Sequence, residues 1–213
     1  MKRCTVFALV MVVALALAAG MGGAATKPAA KSEKIAGVPM RLQAAYAAFA
    51  KKDMKGAATQ IRAAAAAMYA EAAAARQEAK KPLSDSGKAL AELAGRVEKG
   101  AVKSAKELQL NFARADDLAA RYHHAMARDA YMSQKQAEAG AQLQKAMIAL
   151  EQGTRFVGYK MEAAEQATLK QARTVVDQLA KGAQVAQGDA TKAWSDVGQG
   201  IKKLSQSLAP KPK

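Results

Sequence analysis

Thiols are nearly absent from this chain. Its one cysteine, Cys4, precedes an unbroken apolar run from Val6 to Ala19. Lys2 and Arg3 ahead of the run, with the small residues Gly20 to Ala25 behind it, have the order of a cleaved secretory signal over residues 1–25. The run is too short and too weakly flanked for a stable membrane anchor. Cys4 lies too early for a lipoprotein cysteine and leaves with the signal. The mature chain, from about Thr26, is therefore expected to hold neither thiol nor disulfide. Asn111 is the only asparagine, and Phe-Ala follows it, so no N-glycosylation sequon exists. These features predict a bacterial protein of the periplasm or the extracellular space, with no transmembrane segment after cleavage.

Aromatic residues make up 5% of the chain, and β-branched residues are sparse. Proline occurs five times, at 28, 39, 82, 210 and 212, each at a plausible element boundary. What dominates is Ala, Lys, Glu, Gln, Met and Leu, the strong helix formers. The expected fold is all-α, an antiparallel bundle of about six to seven helices. Roughly 188 residues remain after cleavage, enough for one domain with a core. Acids are scarce as well. The chain has 33 Lys+Arg against 18 Asp+Glu, a net charge of +15 that falls to +13 without Lys2 and Arg3. Such an excess favours anionic partners. Aromatics are not interleaved with the Lys and Arg residues and no helix-turn-helix signature occurs, so nucleic acid is not an expected partner.

Residues 26–38 are a basic leader containing Pro28, and Ala209–Lys213 is a basic Pro/Lys tail that cannot be helical. A single helical-bundle domain is expected over 39–208. Pro39 suits the first turn of a helix to about Lys51, buried through Leu42, Tyr46 and Phe49. Asp53 caps a second helix. Its stripe of Met54, Ala57, Ile61, Ala64, Met68 and Ala72 has helical spacing, and it should stop near Lys81, before Pro82. Leu83–Gly87 reads as a turn with Ser84 or Ser86 as cap, before a short helix carrying Leu90, Leu93 and Val97. A long helix from Ala101 turns Leu108, Phe112, Ala115, Ala119, Tyr122 and Met126 inward. Leu143, Met147 and Leu150 continue the pattern to a break at Gly153–Gly158. The most regular heptad follows, through Leu169, Ala172, Val176, Leu179, Ala183 and Ala186. It is expected to pack on the Ala101–Met126 helix. Trp194, Val197, Ile201 and Leu204 mark the last buried face.

Two segments match in spacing: Ala57-x3-Ile61-x2-Ala64 and Ala139-x3-Leu143-x2-Ala146. Ala101–Leu108 likewise echoes Ala190–Val197. Two duplicated halves, 40–115 and 118–207, are one organisation that accounts for this. The first segment, with Lys52-Asp53-Met54 in its link, resembles a tetratricopeptide helical hairpin. The resemblance implies an antiparallel pair of helices and nothing about peptide binding. Alanine seams allow close helix approach but bury little area per residue. The core must then lean on Tyr46, Phe49, Ile61, Leu93, Phe112, Tyr122, Leu143, Leu150, Leu179 and Trp194, and a homo-oligomer is one way to gain the area that is missing.

Catalytic signatures are lacking too. No phosphate loop, Gly-x-Ser-x-Gly elbow or HExxH occurs, so neither an enzyme nor a cofactor is expected. Asp116-Asp117 and the Glu162, Glu165 pair are the carboxylates available for acid–base work, and the second pair reads as an exposed helix face. His123 and His124 are the candidate metal ligands. Adjacent helical residues point about 100° apart, so the two cannot share one ion without ligands from another helix. The favoured reading is a solvent-facing or boundary histidine pair. The methionines at 40, 54, 68, 126, 132, 147 and 161 read as core filler rather than as a Cu(I) site. The expected function is that of an exported, non-enzymatic binding or scaffold protein that engages protein partners through helix faces, with a periplasmic stress chaperone as one form. The alternative is a basic envelope-surface protein for anionic lipids, lipopolysaccharide or other polyanions. Metal binding through His123 or His124 is the weaker third.

Overall fold

The computed structural model describes residues 37–209. The expected signal, residues 26–36 of the leader and residues 210–213 of the tail lie outside them. Of the described residues 84% are helical, in seven helices with no strand among them. α1 (Val38–Ala50) starts on Gly37 and carries Pro39 in its first turn, where a missing N–H removes no helical hydrogen bond. α2 (Met54–Ala74) is capped by Asp53, whose carboxylate accepts the Gly56 N–H at 2.8 Å. α3 spans Gln77–Glu98. α4 (Ala105–Met132) starts at Ser104, whose hydroxyl oxygen accepts the Lys106 N–H at 3.1 Å. α5 (Gln136–Phe156), α6 (Ala163–Ala180) and α7 (Gln187–Leu208) complete the set.

Consecutive helices pack as antiparallel neighbours: α1 on α2, α2 on α3, α4 on α5, α5 on α6 and α6 on α7. Contact between α4 and α7 closes the last four into a bundle, and α1 joins through α4 and α5, α3 through α4. Alternation then gathers the links 51–53, 99–104 and 157–162 at one end and 75–76, 133–135 and 181–186 at the other. Near the first end, Phe156 of α5 meets Phe112 of α4 and Tyr46 of α1 edge-on, with ring centroids 5.4 and 5.8 Å apart. Gln109 donates to the Tyr46 hydroxyl at 3.1 Å, so the one polar atom of this cluster is satisfied. Ile61, Leu143 and Leu150 are fully buried; Phe49, Tyr122 and Trp194 are only partly so.

Several expectations change. The second helix ends at Ala74, not near Lys81, and Pro82 lies inside α3. The turn is Ala75-Arg76, with Ala75 in extended geometry, and Ser84 and Ser86 are helical rather than capping. Leu83, Leu90, Leu93 and Val97 form one buried stripe against α2, and that packing overrides the bias of a proline against helix at the residue before it. Gly153 is not a break: α5 runs through it to Phe156, and Gly158 just past its end takes a left-handed φ of 65°. The heptad stops at Leu179, because α6 ends at Ala180 and Ala183 and Ala186 are exposed link residues. α6 packs between α5 and α7, not on α4, which stands diagonally across the bundle. Finally, Met40 and Met132 are exposed rather than core filler, at 49% and 75%.

The boundary between the expected halves falls inside α4, a continuous helix. The first and fourth helices end in the same turn, which also ends α3, α5 and α6 at Gly100, Gly158 and Gly182 and so does not mark two copies. Lys52 after α1 and Gln134 after α4 both take left-handed φ, 62° and 60°. Lys52 N–H donates to Phe49 and Asp53 N–H to Ala48; Gln134 N–H donates to Tyr131 and Lys135 N–H to Ala130, all at 2.9–3.0 Å. The following helices bury Ala57, Ile61, Ala64 and Met68 in one case and Ala139, Leu143, Ala146 and Leu150 in the other. Both pairs are antiparallel hairpins, as the resemblance of the first segment implies.

Candidate functional site

The histidines diverge. His123 is buried and reaches two helices at once: Nδ1 lies 2.8 Å from Gln142 Oε1 on α5, and Nε2 lies 3.3 Å from Glu71 Oε1 on α2. Both ring nitrogens are thereby engaged. His124 turns to α7, where its Nε2 lies 3.1 Å from the Trp194 carbonyl and its ring packs on the indole. Burial lowers the pKa of His124, with Arg128 adding to the effect and the Trp194 contact opposing it. Among the described residues no three His, Cys, Asp or Glu side chains are grouped so as to hold a metal ion.

Asp116 and Asp117 also part. Asp117 pairs with Arg121 at 2.7 Å and accepts the Ser205 hydroxyl at 2.6 Å. Asp116 is fully buried, neither carboxyl oxygen has a hydrogen-bond partner, and burial holds its pKa well above the carboxylate range. An unpaired buried charge costs far more than a neutral acid, so burial favours the protonated form. Among the described residues no charged group contributes to that shift, which is due to burial alone.

A cleft opens where the α5–α6 link crosses α7. Its inner pocket, about 220 Å³, is lined by Tyr159, Met161, Ala164, Leu169 and Gly200, with Glu165 and Lys203 at its edge. Glu162 and Glu165, read from sequence as an exposed face, instead form a capping box that starts α6. Glu165 accepts the Glu162 N–H at 3.1 Å, accepts the Tyr159 hydroxyl and pairs with Lys203. Those bonds, that of Lys203 foremost, hold the Glu165 carboxyl below its ordinary pKa. The pocket's own charges are thus matched internally. A wider groove of about 590 Å³ adjoins it and shares Tyr159, Met161 and Leu169. Arg155, Lys160, Lys170 and Arg173 stand along this groove, with Glu151 as the single acid, paired to Arg173.

The surrounding end of the bundle is basic. Its links carry Lys51, Lys52, Lys99, Lys103 and Lys160, none of which forms an ion pair among the described residues. The acids of these links, Asp53 and Glu162, are committed to capping helices, and Glu98 and Glu107 beside them pair with Arg62 and Arg96. At the opposite end Arg76 pairs with Asp129 and Lys135 with Glu138, which leaves Lys181 as the one link cation there without an ion pair among the described residues. Sequence reasoning missed this asymmetry because the lysines lie far apart along the chain. Their positions in alternate links were the available signal. Among the described residues no helix is long and apolar enough to cross a membrane. Compared with family models, curated proteins and solved structures, the chain matches none.

Proposed function

We propose that the mature chain is an exported, non-enzymatic binding protein that docks the basic end of its bundle on phosphate-bearing lipid of the bacterial envelope. The observation carrying this reading is the asymmetry of the links, with five lysines free of ion pairs at one end against Lys181 alone at the other. A basic residue near an anionic bilayer contributes about 1 kcal/mol of attraction, so several acting together give useful affinity. The large apolar side chains left exposed, Met40, Tyr69, Leu110, Met132 and Ile148, are spread over α1, α2, α4 and α5. That distribution favours a lipid-surface role over a chaperone with one client groove.

Co-sedimentation with phosphatidylglycerol vesicles, compared with phosphatidylcholine vesicles, tests the reading. Binding should require the anionic lipid and fall steeply with salt, because the interaction is screened. Lys52→Gln with Lys103→Gln should weaken it about thirtyfold, the effect of losing about 2 kcal/mol. Equal binding to both vesicles, or capture of envelope proteins unchanged by salt, would favour scaffolding through helix faces instead. N-terminal sequencing of the fractionated protein checks export: a chain retaining Met1 would contradict it.

A further inference from the structure

We infer that the cleft beside the α5–α6 link is a binding site for a single-chain anionic amphiphile, with the acyl chain in the inner pocket and the phosphate head in the cationic groove. The inference rests on the envelope-lipid reading above and names a site within it. Three observations support it together. The first is continuity: Tyr159, Met161 and Leu169 line both compartments, so one molecule can occupy the two at once.

The second is polarity. The inner pocket offers Met161, Ala164, Leu169 and the Tyr159 ring; of its polar lining, Thr168 donates to the Ala164 carbonyl, Gln199 donates to Ser195, and Glu165 is bound to Lys203. Asp196, also on its wall, is paired with Lys192 at 2.6 Å. A hydrocarbon chain therefore enters without stripping water from an unpaired charge, and it gains by burial about 0.8 kcal/mol per methylene. The third is charge. Arg155, Lys160 and Lys170 face the groove, are exposed, and have no acidic partner among the described residues; only Arg173 is neutralised, by Glu151. Three unmatched cations beside an apolar pocket suit a doubly charged phosphate joined to an alkyl chain, and they suit neither a neutral amphiphile nor a cation.

The cleft is distinct from the link lysines that would meet a membrane surface, apart from Lys160. It would take a lipid one molecule at a time rather than lie on a bilayer. The probe is dodecyl phosphate below its critical micelle concentration, titrated into the purified chain by calorimetry, with dodecyl maltoside and inorganic phosphate as controls. Saturable one-to-one binding of dodecyl phosphate is expected, at least tenfold tighter than either control. Lys170→Glu with Arg155→Glu should weaken it at least tenfold by reversing charge at the head. Ala164 is exposed at the pocket, so Ala164→Phe can fill the cavity without entering the core. It should abolish binding of the alkyl phosphate while leaving circular dichroism and vesicle co-sedimentation unchanged.

Dodecyl phosphate binding no tighter than inorganic phosphate overturns the inference, as does equal binding of the maltoside. So does full affinity in Ala164→Phe. Vesicle binding retained with no cleft binding would sink this site and leave the envelope-surface reading standing. Cleft binding without vesicle binding would do the reverse.

Discussion

Asp116 is a carboxylic acid with nothing to bond to. In the unfolded chain it ionises near pH 3.9, whereas in the fold burial holds its pKa well above that value. Its favourable contribution is therefore present in full below about pH 3.9 and is lost as pH rises toward the folded pKa, because only the unfolded chain releases the proton. Asp116→Asn cannot ionise. Urea midpoints measured from pH 4 to 8 should show the variant gaining on the parent as pH rises, by about 1.4 kcal/mol for each tenfold difference in proton affinity traversed. Parallel curves would mean that Asp116 reaches water. His124 works in the opposite direction. Its folded pKa is lowered, chiefly by burial, so its contribution is present above about pH 6.5 and is lost as pH falls below that. His124→Phe should cost about 1 kcal/mol at pH 7.5 through the lost bond to Trp194, and it should remove this part of the acid sensitivity below about pH 6.5. These environments could not be read from the letters. Asp116-Asp117 and His123-His124 are adjacent like pairs, and only the helices around α4 make the members of each pair differ.

Helix contacts depend on a few missing side chains. At Gly140 of α5, an added Cβ would stand 2.2 Å from the Ala180 backbone nitrogen and 2.6 Å from the Leu179 carbonyl carbon of α6. Backbone cannot yield as a flexible side chain can. Gly140→Ala should force α5 and α6 apart at a cost at or above the usual overpacking range of about 1–3 kcal/mol, readable as a fall in thermal midpoint. An unchanged midpoint would mean that the two helices are not seated this closely. Gly153, where α5 meets Leu204 and Asp116, is a second close contact. The sequence presented Gly153 as an interruption, since glycine weakens helices in isolation. The same helical pattern located Leu143, Met147 and Leu150 of α5 correctly, and all three are buried. Element identity was thus legible where large residues recur at helical spacing. It failed at Pro82 and Ala75, where packing on α2 decided between two ways of dividing an alanine-rich stretch.

For the whole molecule, burial of many alanines and few large side chains leaves each Leu or Ile with a large share of the core. Leu179 is 3% exposed and lies on the face α6 presents within its own chain. Leu179→Asp buries an unpaired charge and should unfold the protein, at a cost of several kcal/mol. Circular dichroism with sedimentation decides the outcome: a folded monomer would mean that this seam serves a second chain, and a helical variant with unchanged melting would mean that it faces solvent. Composition and 3.6-residue periodicity were sufficient, alone, for the all-α class, the number of helices and most of the buried stripe, because these follow from local preference and from the need to hide apolar faces. The cleft at the α5–α6 link, the basic end and the divergent environments of Asp116 and Asp117 were decided only by the tertiary structure. Each depends on residues distant in sequence, such as Glu165 with Lys203 or Lys52 with Lys103, which are brought to one end by the alternation of antiparallel helices.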